Sequence, residues 1–166
     1  MNPSQTETTG ARIITQEFVS FIRRQFVLDW SGIHGAPHWA RVRENGLRLA
    51  EQTGARPDVI ELFAFLHDTQ RKNDGRDPDH GQRAADFAVT LQGSLFTLDD
   101  LGLTLLCAAC AGHSDGLIEA DITIQTCWDA DRLDLGRVGI TPDPQYLCTA
   151  AARNPQIIEW AFKRSR

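Results

Sequence analysis

The chain has 166 residues, of which 42% are hydrophobic and 23% charged, with a formal charge of -5. This is the profile of a single ordered globular domain, able to bury about 70% of the surface its unfolded chain exposes, and it excludes a disordered chain. The negative balance excludes a broad basic face for wrapping nucleic acid, although a small anion can still bind locally.

The opening stretch MNPSQTETTG is polar and reads as a flexible tail, leaving residues 11–166 as one domain. It lacks the basic and apolar parts of a signal peptide, and no apolar run approaches the roughly 20 residues that span a bilayer. A cytoplasmic location without a membrane partner is the expectation.

The first helix is expected within ITQEFVSFIRRQFVLDW, where Phe18, Phe21, Ile22 and Phe26 recur at helical spacing with Arg23 and Arg24 off the stripe. Pro37 suits the first turn of a second helix through HWARVRENGLRLAEQ, with Gly54 as its terminator. Pro57 opens a third, DVIELFAFLHD. The following TQRKNDGRDPDHG has no apolar residues and many turn formers, so it reads as an exposed loop, with Asp74, Asp77 and Asp79 as turn residues. Further helices are expected from about residue 80 (GQRAADFAVTLQ), residue 98 (LDDLGLTLLCAACAGH) and residue 121 (DITIQTCWDADRLDLG), with a last short one near QYLCTAAA. No strand alternation or hairpin signal interrupts them. The fold class is therefore all-α, a compact single-domain bundle of about six to seven helices. Cys107 and Cys110 form a C-x-x-C pair inside an apolar helix with no second pair to complete a zinc site, so they, Cys127 and Cys148 read as small core residues.

Histidines and acids fall at positions that apolar residues otherwise fill. Ile60, Phe63, Ala64 and His67 share one helical face, with Asp68 about 100° further round at the helix end. Ile124, Cys127, Trp128, Asp131 and Leu135 share another, which selects Asp131 as the inward acid of CWDADRLD, leaves Asp134 nearer the rim and puts Asp129 on a mixed face. His113 continues Leu103, Leu106 and Cys110; His80 leads into Ala84, Phe87 and Leu91; His38 leads into Val42 and Leu49. Buried carboxylates and imidazoles need compensation, and a divalent cation satisfies several at once. A metal site at His38, His67, Asp68 and Asp131 is expected. His80 and His113 share this inward placement. His34, in a Gly-rich turn, reads as a pocket residue, and Arg71 and Lys72 as candidate phosphate clamps.

The ordered set H…HD…D, carried by HGAPHWARV, LFAFLHDTQRKNDG and DADRLDLG, resembles the HD-domain superfamily of metal-dependent phosphohydrolases over about residues 30–136. The resemblance implies an HD-type bundle holding a divalent ion such as Mn, Fe, Mg, Co, Ni or Zn, one or two per chain, with His80 and His113 either holding the second ion or acting as phosphate-binding or ligand-orienting groups. It further implies hydrolysis of a nucleotide or other small phosphoester by a metal-activated water, with Asp68 as the catalytic carboxylate. Two other functions stay open: a di-iron oxygenase, since some HD relatives carry extra histidines for a second ion, and a metal-stabilised ligand-binding domain without turnover. Substrate and oligomeric state are not legible.

Overall fold

Local chemistry sets most helix ends in the computed structural model, which describes residues 11–166; the expectation of a flexible tail at 1–10 falls outside them. Helix α1 (Gln16–Gln25) is capped by the Thr15 hydroxyl, which accepts from the Phe18 amide. α2 (Ala36–Thr53) starts with Pro37 in its first turn and stops at Gly54, whose φ of 72° is the left-handed conformation that favours glycine. α3 (Pro57–Leu66) likewise opens on proline and closes on His67. α4 (His80–Leu91) follows the polar loop, and α5 (Asp100–Gly112) and α6 (Ile122–Arg132) are capped by Asp99 and Asp121. Two 3-10 turns, Leu135–Val138 and Pro144–Tyr146, lead to α7 (Pro155–Arg164), capped by Asn154.

The seven α-helices make an all-helical fold, with no named strand among the described residues. None of these helices is long and apolar enough to cross a membrane. α2 packs between α3 and α6, and α5 packs on α3 and α4. Phe18, Ile22, Trp39, Val42, Ile60, Phe63, Leu66 and Leu106 are fully buried in the principal core. Glycine permits two of the closest approaches: a Cβ on Gly46 would lie 2.4 Å from Ile60 Cγ2, and one on Gly81 would lie 2.5 Å from the Cys110 carbonyl oxygen. These contacts bring α2 against α3, and α4 against α5.

The fold corrects two expectations about the termini of the domain. α1 stops at Gln25, because Phe26 is extended, so the helix does not run on through Val27 and Leu28. The last helix is not at QYLCTAAA but at Pro155–Arg164. Residues 147–152 instead form an irregular segment held by a long-range contact: Asp129 accepts from the Cys148 amide at 2.6 Å, the Thr149 amide at 2.8 Å and the Thr149 hydroxyl at 2.7 Å. Three donors on one carboxylate outcompete the helix propensity of three successive alanines. This segment and α7 close a second small core around Leu49, Leu133, Leu147, Ile157 and Ile158.

Candidate metal centre

Five helix ends converge on one buried point. His38 lies in the first turn of α2, His67 and Asp68 terminate α3, His80 starts α4, His113 caps α5, and Asp131 lies in the last turn of α6. All four of these histidines and Asp68 are nearly inaccessible, between 0% and 6% exposed. Asp131 is on the open edge, its side chain 17% exposed.

Each of the four imidazoles is anchored through Nδ1, leaving Nε2 to face inward. His67 Nδ1 is 3.0 Å from the Phe63 carbonyl and 3.1 Å from that of Ala64, one turn back on its own helix, and its ring stacks on Phe63. His113 Nδ1 is 2.7 Å from the Cys110 carbonyl, and His80 Nδ1 meets the Asp77 carbonyl. A carbonyl only accepts, so each Nδ1 carries the proton and donates it, and in the neutral ring Nε2 presents a bare lone pair. His38 Nδ1 is instead 2.6 Å from Asp134 Oδ2.

The inward nitrogens meet in pairs: His38 Nε2 is 3.1 Å from His67 Nε2, and His80 Nε2 is 2.8 Å from His113 Nε2. Facing lone pairs at these distances repel unless a cation lies between them or one ring takes an extra proton. Asp68 stands between the pairs. Its Oδ2 is 3.6 Å from both His38 Nε2 and His67 Nε2, while its Oδ1 is 3.2 Å from His80 Nε2 and 3.5 Å from His113 Nε2. Asp131 Oδ1 joins the first pair, 3.2 Å from His38 Nε2 and 3.6 Å from His67 Nε2.

These separations fit a shared ion. Ligand atoms about 2.1 Å from one ion, at cis or tetrahedral angles, lie about 3.0–3.4 Å from each other. Two groups of donors close enough to hold a metal ion result: His38, His67 and Asp68, with Asp131 on the open side, and Asp68, His80 and His113. The imidazole and carboxylate donors suit a transition-metal ion better than calcium.

The electrostatics point the same way. Burial alone would raise the Asp68 carboxyl, but the surrounding His67, His113, His34 and His80 outweigh it and hold it well below the ordinary carboxylate range. Burial of Asp131 is likewise outweighed by His38 and His67. For His38, burial opposes the charged form, yet Asp131 and Asp134 lift it above the ordinary imidazole value. Asp134 is matched by Arg41, and Asp68 by Arg71 Nε at 3.0 Å, whereas the ion-pair partners of Asp131 among the described residues are only these two histidines. A buried-edge carboxylate without an arginine or lysine is what a bound cation would compensate.

The remaining candidates fall into place around this cluster. His34 Nδ1 is 2.9 Å from Asp68 Oδ2 and its Nε2 is 3.3 Å from the Asp74 carbonyl, so it touches the centre directly and ties its turn to the polar loop. Arg71 is braced by the carbonyls of Asn73 and Gly75 as well as by Asp68. Lys72 is exposed and donates only its backbone amide, to Asp77, in the hydrogen bonds of the loop.

The burial order expected for the acids of CWDADRLD is reversed, and the helix expected to run through Leu135 ends at Arg132, so that Asp134 opens the following 3-10 turn. Asp134, placed near the rim by periodicity, is 1% exposed, and Asp129, placed on a mixed face, is 0% exposed. α6 is enclosed on nearly every side, by α2, α3 and α5 and by the 147–152 segment, so an apolar stripe does not mark its only buried face. Asp129 faces that segment, away from the histidines. Asp134 was missed as a site residue because its burial depends on Arg41, one turn along α2 from His38, which donates to it from Nε at 2.6 Å and from a terminal nitrogen at 3.1 Å. The four cysteines are free thiols, and burial raises Cys110 and Cys127 well above the ordinary thiol range.

An all-helical domain with a buried His/Asp centre able to hold metal is the class that fold and site define. Comparison of the chain with protein-family models, with curated proteins and with solved structures gives no match.

Proposed function

We propose that the chain is an HD-type metal-dependent phosphohydrolase that cleaves a nucleotide or other small phosphoester. One observation carries this reading: the residues of the ordered set H…HD…D, distant in sequence, turn their donor atoms onto one point, with the two oxygens of Asp68 addressing two histidine pairs. A divalent ion there would activate water at neutral pH and offset charge on a phosphoryl oxygen. His38, His67, Asp68 and Asp131 would hold one ion, and Asp68, His80 and His113 a second.

The chain's own groups supply the rest. Asp68, with one oxygen toward each histidine pair, would place the attacking water through the ions that its oxygens hold. Arg71, fixed beside Asp68 by two loop carbonyls, offers a preorganised cation to a phosphate. His34 contacts Asp68 from the side of the polar loop and lines the approach to the centre there. The net charge of -5 makes this local cation, rather than the overall field, the source of anion affinity.

The second histidine pair also supports a two-iron reading, in which the same donors serve an oxygenase. Metal analysis of protein purified without added metal, joined to a phosphatase panel in Mn, Co and Ni, separates the two. The expected result is phosphoester hydrolysis restored by at least one of these ions. Two irons per chain with no phosphatase activity would sink the hydrolase.

A further inference from the structure

We infer that the two donor groups are unequal: the one containing His38 holds its ion tightly and the one containing His80 holds a labile ion, with Asp134 as the positioning residue that sets the difference. The inference rests on the metal-binding reading above.

Three features of the geometry separate the groups. The first offers four protein donors, His38, His67, Asp68 Oδ2 and Asp131 Oδ1, whereas the second offers three, Asp68 Oδ1, His80 and His113. The first has a carboxylate of its own in Asp131; the second has only its share of Asp68. The oxygen that the second group uses is also the one that Arg71 Nε approaches to 3.0 Å, which places a fixed positive charge beside any ion bound there.

The backing of the imidazoles differs in the same direction. His67, His80 and His113 donate from Nδ1 to neutral carbonyls, but His38 Nδ1 meets the Asp134 carboxylate at 2.6 Å. A carboxylate behind a ligating imidazole fixes its tautomer and strengthens Nε2 as a donor more than a carbonyl does. Asp134 is itself held by the two-pronged contact from Arg41, and the Arg137 guanidinium lies 4.0 Å away. His38 and Arg41 lie one turn apart on α2 and grip one carboxylate between them, so the ring has a single orientation before any ion arrives.

Titration of the metal-stripped full chain with Mn(II), reading free Mn(II) by electron paramagnetic resonance, tests this. Two binding steps at least about 10-fold apart in affinity are expected. Asp134→Asn should weaken the stronger step about 10- to 100-fold and leave the weaker one in place. His80→Ala, remote from Asp134, should delete the weaker step alone and keeps the inequality of the two groups testable if Asp134→Asn does not fold, in which case Arg41→Gln, which frees the Asp134 carboxylate from its clamp, should weaken the stronger step alone. Two equal steps, an equal loss at both steps in Asp134→Asn as a merely structural role would give, or loss of the stronger step in His80→Ala would each overturn the inference while leaving metal binding intact. Absence of any Mn(II) binding would overturn both.

Discussion

Asp129 and Asp131, two residues apart on α6, face opposite ways. Residues so spaced on a helix are about 200° apart, and the consequence here is complete: Asp131 Oδ1 addresses His38 and His67, while Asp129 accepts from the Cys148 amide and from the amide and hydroxyl of Thr149. One acid belongs to the centre and the other to the fold.

Alanine at the two positions should therefore separate function from stability. Asp129→Ala is expected to destabilise the chain by about 2–4 kcal/mol, since three donors to a buried carboxylate lose their acceptor, while metal content stays unchanged under native conditions. Asp131→Ala is expected to lose the tightly held ion with little change in the far-ultraviolet circular dichroism. Urea unfolding and metal analysis on both variants check this; loss of metal in Asp129→Ala with a normal urea midpoint would contradict it.

Gly81 sets the distance between α4 and α5. Because a Cβ there would lie 2.5 Å from the Cys110 carbonyl oxygen and 3.3 Å from His113 Nδ1, Gly81→Ala must push the helices apart and separate His80 from His113. The expected outcome is loss of one of two bound ions per chain, with His38, His67 and Asp131 still holding the other. Metal stoichiometry after dialysis reads this directly.

Arg71 and Lys72 are adjacent but differently placed. Arg71 is braced beside Asp68, and Lys72 contributes only its backbone amide to the loop. Removing one charge-assisted contact to phosphate costs about 1.5–3 kcal/mol, so Arg71→Gln should raise KM for a phosphoester about 10-fold or more. Lys72→Gln should stay within about twofold of the parent. Steady-state kinetics on whichever phosphoester the panel identifies would show it, and equal effects at both positions would argue against a placed clamp.

At the far end of α3, Arg56 donates to Asp58 and to Asp99, and the Arg56 hydrogen bond holds the Asp58 carboxyl below its ordinary value of 3.8 despite partial burial. A depressed folded-state value means that the unfolded chain binds the proton more readily. The contribution is thus fully present above about pH 4 and lost as pH falls through the lower folded value. The Asp58 side chain is 37% exposed, so solvent screening limits the pair to about 0.5 kcal/mol. Arg56→Met should show a small stability deficit at neutral pH that narrows toward zero near pH 2, measured by urea unfolding across that range; a deficit that widens with acid would contradict the assignment.

Local pattern determined a good deal. Pro37, Gly54 and Pro57 mark helix boundaries through backbone restrictions that need no tertiary partner, and the apolar spacing around His67 and His113 sets their inward direction in the same way. What the sequence left undecided depends on contacts between residues far apart in the chain. The 147–152 segment is not helical because Asp129, about 20 residues earlier, takes its amides. Asp134 is buried because Arg41, 93 residues earlier, neutralises it against His38. The joining of two histidine pairs through one carboxylate requires α2, α3, α4 and α5 to meet, and helical periodicity gives the face of each side chain but not the depth or identity of what it meets. The residues of the centre were thus legible one helix at a time, and their arrangement as two groups sharing Asp68 was decided by packing alone.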